Sequence, residues 1–133
     1  MKLLLDTCAF VWLVSAPQRL SRPAKRTLQD AAVDVSVSVV SFWEMSLKRA
    51  LGKFLLEGMT IEGLVDAVPG HRCELLPLTV QVASTFYRLP LLGSHRDPFD
   101  RMLVWQAIRH DLTLVSRDRA MGAYQTAGLQ ILW

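Results

Sequence analysis

The chain has 133 residues, 51% of them hydrophobic, and its fifteen Lys and Arg against twelve Asp and Glu give a formal charge of +3. That length suits one domain, taken to span 1–133, with room for a single substantial core. No charged or low-complexity tract suggests disorder, and no uninterrupted apolar run approaches the roughly 20 residues of a membrane span. Cys8 and Cys73 are far apart and lack CxxC spacing, so reduced, buried or half-buried thiols in a cytoplasmic protein are expected. His71, His95 and His110 form no HxxxH or HxH pair that would announce a histidine-rich zinc site. The small excess of positive charge permits a polyanionic partner without requiring one.

The opening "MKLLLDTCAFVWLVSA" has the outline of a signal peptide, but Asp6 puts a costly carboxylate in its apolar middle. A strand over 2–5, buried on both faces and ending at Asp6, is the better reading. A helix is expected at 21–32. "VDVSVSVV" at 33–40 then alternates apolar with Asp34, Ser36 and Ser38, the period of a strand. Helices follow at 42–52 and 60–68, and "ELLPL" at 74–78 is a strand candidate weakened by Pro77. Helices at 79–88 and 99–110 lead to "LTLV" at 112–115, a buried strand. A helix at 119–126 precedes a last strand at 129–132. "SAP", "PG" and "AG" punctuate the series. Strands separated by helices imply one α/β layer sandwich with a parallel sheet. Trp12, Trp43 and Phe86 are assigned to its core.

In such a sheet, ligands bind outside the carboxyl ends of the strands. Asp6 directly follows the first strand, Asp118 follows the strand at 112–115, Glu44 lies in the first turn after the second strand, and Asp97 and Asp100 open the helix before 112–115. Each has a structural alternative. Ser41-Phe42-Trp43-Glu44 fits a capping box, Glu44 and Lys48 form an i,i+4 pair, and Asp6 and Asp118 suit caps of helices that follow them. Asp97 followed by Pro98 is a strong helix start, with Asp100 at the third position, where a carboxylate complements the helix dipole.

Helical geometry separates Asp97 from Asp100. Asp100 shares a face with Leu103, Val104 and Ala107, and an ionised carboxylate over an apolar stripe is expensive unless something compensates it. Several acids gathered on one rim repel one another, and a hard cation with oxygen ligands, Mg²⁺ or Mn²⁺, relieves that repulsion. Residue pattern alone thus gives an acidic, metal-binding α/β domain suited to phosphate esters.

"LLLDTCAFVW", "SVVSFWEMSLKRALGK", "HRDPFDRMLVWQA" and "LTLVSRD" together, spanning residues 3 to about 124, resemble the PIN-domain nucleases, in particular VapC-like toxins of bacterial toxin–antitoxin pairs. "HRDPFDR" is the most distinctive of the four. The resemblance implies a three-layer α/β/α fold around a parallel sheet, and Mg²⁺- or Mn²⁺-dependent RNA cleavage leaving 5′-phosphate and 3′-hydroxyl ends. It assigns the acidic set to Asp6, Glu44, Asp100 and Asp118, with Asp6, Asp100 and Asp118 holding metal and Glu44 binding metal or orienting water. Asp97 lies outside that set but can assist. Thr7 and Ser116 match positions where the family has a hydroxyl near the metal; a cap and a strand-end hydrogen bond are their structural alternatives.

The resemblance also implies a cognate antitoxin covering the active-site groove, and a homodimer. Lys48, Arg49 and Lys53 are candidates for holding RNA, against the alternative of a solvated helix face. One departure is Trp105 in "LVWQA", where the commoner pattern has a small residue. Two other functions fit parts of the pattern: a PIN-like binding module that has lost activity, and a phospho-acceptor receiver domain. The receiver reading lacks the second acid after strand one and the lysine after a late strand.

Overall fold

Leu3, Leu4 and Leu5 are each fully buried, which requires apolar cover on both faces of β1 (Lys2–Leu5). The structure, a computed structural model, describes residues 1–54 and 56–133. After β1 come α1 (Thr7–Ser15), α2 (Arg22–Gln29), β2 (Asp34–Ser38), α3 (Val39–Ala50), α4 (Ile61–Ala67) and β3 (Cys73–Leu76). The chain continues through α5 (Val80–Thr85), α6 (Pro98–Arg109), β4 (Thr113–Val115), a 3₁₀ segment (Arg119–Ala127) and β5 (Gln130–Leu132). All strand pairings are parallel and the sheet order is β3-β2-β1-β4-β5, with Leu4 opposite both Ser36 and Leu114.

Side chains alternate across the pleat. Leu3 and Leu5 cluster with Phe10 of α1, Leu28 of α2 and Leu64 of α4 on one face. Leu4 clusters with Val82 of α5, Leu103 of α6 and Tyr124 on the other. This is the expected three-layer α/β/α sandwich. Each fully buried leucine contributes roughly 1.5–3 kcal/mol. The helix α3 supplies Val40 to one cluster and Met45 to the other, and so straddles the carboxyl edge of the sheet.

Several boundaries depart from expectation for local reasons. The strand expected at 33–40 stops at Ser38, because the Ser38 side chain accepts the Val40 N–H and starts α3 three residues earlier than anticipated. The capping box at Ser41 therefore does not form, and Glu44 stands beyond the first turn of α3. The segment at 119–126 is 3₁₀ rather than α-helical. The helix at 79–88 breaks into α5 and a short 3₁₀ turn, Phe86–Arg88. No helix is expected at 7–15, yet it forms α1, capped by Asp6, whose carboxylate accepts the Ala9 N–H at 2.7 Å.

Trp43 is not in the core: it is 62% exposed, with its ring edge-on to Phe99 at 5.0 Å. Trp12 and Phe86 are half-buried against their clusters. Cys8 is exposed, Cys73 is buried, and both are free. Trp105, the departure from family pattern, is buried, and its indole N–H lies 3.1 Å from the Val82 carbonyl and 3.2 Å from Thr85 Oγ1. Among the described residues no helix is long and apolar enough to cross a membrane.

Candidate active site

Strand order reverses between β1 and β4, since β2 and β3 lie to one side of β1 and β4 and β5 to the other. At that switch point the loops after adjacent strands diverge and leave a crevice. A cavity of about 330 Å³ opens there. Asp6, Thr7, Glu44, Lys48, Lys53, Asp97, Asp100 and Asp118 are among the residues lining it.

Each acid is delivered by the element that precedes or contains it. Asp6 is the last residue before α1 and is 6% exposed. Asp118 leaves β4 through Ser116, whose hydroxyl accepts the Asp118 N–H at 3.1 Å, and its carboxylate caps the 3₁₀ segment. Asp97 caps α6 by accepting the Asp100 N–H at 3.0 Å, with Pro98 at the first helical position. That cap fixes the start of α6, whose Leu103, Val104 and Ala107 pack into the core while Asp100 lines the cavity. A buried hydrogen bond from Ser38 to Gln106 (2.6 Å) ties the start of α3 to α6.

Glu44 is only 4% exposed and is held from two sides, by Lys48 one turn along α3 and by Thr7 Oγ1 at 2.6 Å from Oε1. Thr7 Oγ1 also lies 2.9 Å from Ser41 Oγ. A hydroxyl has one proton; given to the carboxylate, it leaves Thr7 to accept from Ser41. The i,i+4 pairing of Glu44 with Lys48 is thus real, but it occurs in the cavity wall rather than on a solvated surface. The attached proton on Lys48 is held more firmly than usual because it faces Glu44.

The electrostatics are those of crowded carboxylates. Burial pushes the Asp6 pKa up; Ser116 and the Ala9 N–H pull it down, and Glu44 and Asp118 push it further up. Asp100 is raised to about 6, first by burial and then by Asp97 and Glu44, with His95 opposing. Two sets of donors converge within 4.8 Å: Glu44, Asp97 and Asp100, and His95, Asp100 and Asp118. Asp100 belongs to both. Asp6 lines the same cavity without belonging to either set, and Asp97 belongs to one. Oxygen-rich sets of this kind suit Mg²⁺ or Mn²⁺.

Of the expected RNA contacts, Lys48 and Lys53 line the cavity, whereas Arg49 lines a separate hollow with Phe54, Met59 and Glu62. Ser116 is buried beside Asp6 and Asp118.

Sequence reasoning missed His95. Its Nε2 is buried without a hydrogen-bond partner, 3.5 Å from Asp100 Oδ2, and its Nδ1 lies 3.0 Å from the Tyr124 hydroxyl. Arg101, 8% exposed, reaches the same hydroxyl with Nε at 3.2 Å and the Leu89 carbonyl with Nη2 at 2.9 Å. The Tyr124 oxygen accepts from Arg101 and keeps its own proton to donate, and when it donates to His95 Nδ1 the neutral imidazole carries its proton on Nε2, the nitrogen nearer Asp100. The signal was present inside "HRDPFDR", five residues before Asp100, but a search for histidine pairs passes over it.

The fold and site define the class: an α/β domain with a doubly wound parallel sheet and carboxylates from four chain segments gathered at its switch point. The model of the PIN domain matches residues 3–127, and the chain belongs to that family. Ribonuclease VapC22 of Mycobacterium tuberculosis is 27% identical over 130 residues, covering 98% of this chain and 97% of that protein. The fold is shared with VapBC2 of Rickettsia felis bound to a promoter DNA fragment (TM-score 0.69, 14% identity, 99% and 98% of the two chains). It is also shared with DNA-bound VapBC of Salmonella typhimurium (TM-score 0.66, 17% identity, 99% and 97%).

Proposed function

We propose that residues 1–133 form one catalytic unit, a divalent-metal-dependent endoribonuclease that acts as the toxin of a toxin–antitoxin pair. The observation that carries this reading is the convergence of Asp6, Glu44, Asp100 and Asp118 on one cavity at the switch point. Their mutual repulsion is unfavourable in a protein that only binds a polyanion, and is useful in one that takes a cation. The likeness to a relative named as a ribonuclease, and in fold to structures named as toxin–antitoxin complexes, supports the same reading.

Asp6, Asp100 and Asp118 would hold Mg²⁺ or Mn²⁺, with Glu44 and Asp97 lining the same cavity. Bound there, the cation supplies charge stabilisation at phosphorus and lowers the pKa of water. The protein's own part is orientation. The Ala9 N–H fixes one oxygen of Asp6. Thr7 and Lys48 fix Glu44 so that it accepts from a water in the cavity. His95 Nε2, 3.5 Å from Asp100 Oδ2, stands where a proton on it would draw that carboxylate toward His95. Water adds in line to phosphorus and the 3′ oxygen leaves as a hydroxyl, so that the new ends are a 5′-phosphate and a 3′-hydroxyl.

A cognate antitoxin covering the cavity, a homodimeric state and a cytoplasmic location complete the proposal. The test is cleavage of total cellular RNA in Mg²⁺ or Mn²⁺ by wild type and by folded Asp6→Asn and Asp100→Asn. Losses of about 10²-fold or more are expected, as for removal of a catalytic group. Full activity in both variants overturns the reading.

A further inference from the structure

Next to the acid cavity lies a second hollow of about 410 Å³, lined by Asp6, Cys8, Trp12, Arg117, Asp118 and Arg119. Asp6, Cys8, Trp12 and Asp118 line the acid cavity as well, so the two form one continuous trough. Trp12 sits where they meet, its ring against Trp133 with centroids 5.9 Å apart. Two guanidinium groups rest against the same indole: Arg19 at 4.6 Å and Arg117 at 5.9 Å from the ring centroid. Arg19, Arg117 and Arg119 are exposed, and among the described residues none has a carboxylate within salt-bridge distance.

Two cations gathered on one ring repel each other, and the indole face offsets only part of that. No acid neutralises them, although Asp118 is next in the chain to Arg117 and Arg119. Lys48, in the acid cavity, is already paired with Glu44. Among the described residues Lys53 is the cavity's other cation without a carboxylate partner, so most of the unpaired positive charge beside the acids is the group of arginines around Trp12. Guanidinium forks match phosphate oxygens in pairs, and side chains already held against a ring lose less freedom when they bind.

We propose that this trough is the track for single-stranded RNA. Arg117 and Arg19, held by Trp12, bind phosphates flanking the scissile bond, and the strand leaves the acid cavity along Trp12 rather than across Lys48, Arg49 and Lys53. The proposal rests on the ribonuclease reading and names how that site holds its substrate.

The test uses the full chain and the double variant Arg19→Gln/Arg117→Gln, with Arg22→Gln/Arg26→Gln on the exposed side of α2 as a charge-matched control. Circular dichroism and thermal melting verify folding. Binding of a fluorescein-labelled 12-nucleotide single-stranded RNA of mixed sequence is followed by anisotropy, with Ca²⁺ in place of Mg²⁺ and KCl varied. The trough variant should bind about tenfold or more weakly. Its slope of log affinity against log salt should be shallower by about 1.4, from about 0.7 for each lost single-strand phosphate contact. The control should shift affinity less than about twofold. With total cellular RNA and Mg²⁺, the variant's half-saturating concentration should rise while its maximal rate stays within about twofold.

A trough variant indistinguishable from the control in affinity and slope, or a wild type that does not bind the oligonucleotide, overturns the track. If the wild type still cleaves total RNA in either case, the track alone has failed. A wild type that cleaves no RNA with either metal overturns the ribonuclease reading itself.

Discussion

Replacing Asp100 by Asn should make the metal-free protein more stable at neutral pH. Burial, followed by the charges of Asp97 and Glu44, raises the Asp100 carboxyl from 3.8 to about 6. Below about pH 4 both folded and unfolded chains hold this proton, and the site carries no penalty. Between about pH 4 and pH 6 the folded chain keeps the proton that the unfolded chain has released, so stability falls as pH rises. Above about pH 6 both are ionised and the loss is complete, roughly 3 kcal/mol at about 1.4 kcal/mol per pH unit. Asp6, raised by the same kind of burial, adds to the fall. Urea unfolding in EDTA at intervals from about pH 4.5 to 7.5 measures it. Wild type should lose stability across the series, and Asp100→Asn should lose less and exceed wild type at pH 7. Mg²⁺ should restore wild type, by about 2.7 kcal/mol at a hundred times its Kd, and restore the variant less. Coincident pH profiles for the two proteins would refute the account of crowded, buried carboxylates.

Asp97→Ala removes a cap and should cost about 0.5–2 kcal/mol in urea unfolding, while RNA cleavage in excess Mg²⁺ falls far less than in Asp100→Asn. His95→Leu should weaken Mn²⁺ binding, followed by electron paramagnetic resonance, by about 10–100-fold, as loss of an outer partner does; Tyr124→Phe, which frees His95 Nδ1, should move it in the same direction by less. Trp43→Ser should lower thermal stability by no more than about 0.5–1.5 kcal/mol, the worth of its contact with Phe99, whereas Leu4→Ala in the central strand should cost about 2–5 kcal/mol.

The central sheet was legible because its strands carry their burial in their composition. "LLL" has to be covered on both faces, and "VDVSV" alternates. The helix α1 was not legible for the opposite reason. "TCAFVWLVS" packs against the sheet, α3 and α4 while leaving most of its residues half-buried, so no polar stripe marks a period of 3.6. Trp43 was misplaced because a large aromatic side chain on a helix with apolar neighbours reads as core whichever way it points. Residue type fixes the gain from burial, and only the packing of α3 across the sheet edge decides which face is covered. The likeness to a known family supplied the order of the acids, but not which carboxylates approach within coordinating distance. Asp97 and His95 enter those sets through the turn before α6, which places side chains with no periodic pattern to announce them.

The sequence offers two explanations for these acids, a helix cap or part of a metal site, and the geometry leaves the two compatible. A carboxylate has two oxygens with about four acceptor positions between them. The Ala9 N–H takes one position on Asp6, the Ala120 N–H one on Asp118, and the Asp100 N–H one on Asp97. Each of these carboxylates still lines the cavity. A cap fixes the side chain against the first turn of a helix that begins at the carboxyl edge of the sheet, the edge where a parallel sheet opens its crevice. Capping is therefore the means by which Asp6 and Asp118 are oriented, and at Asp97 it ties that carboxylate to the backbone of Asp100. Glu44, which caps nothing, needs Thr7 and Lys48 to do the same work from the side.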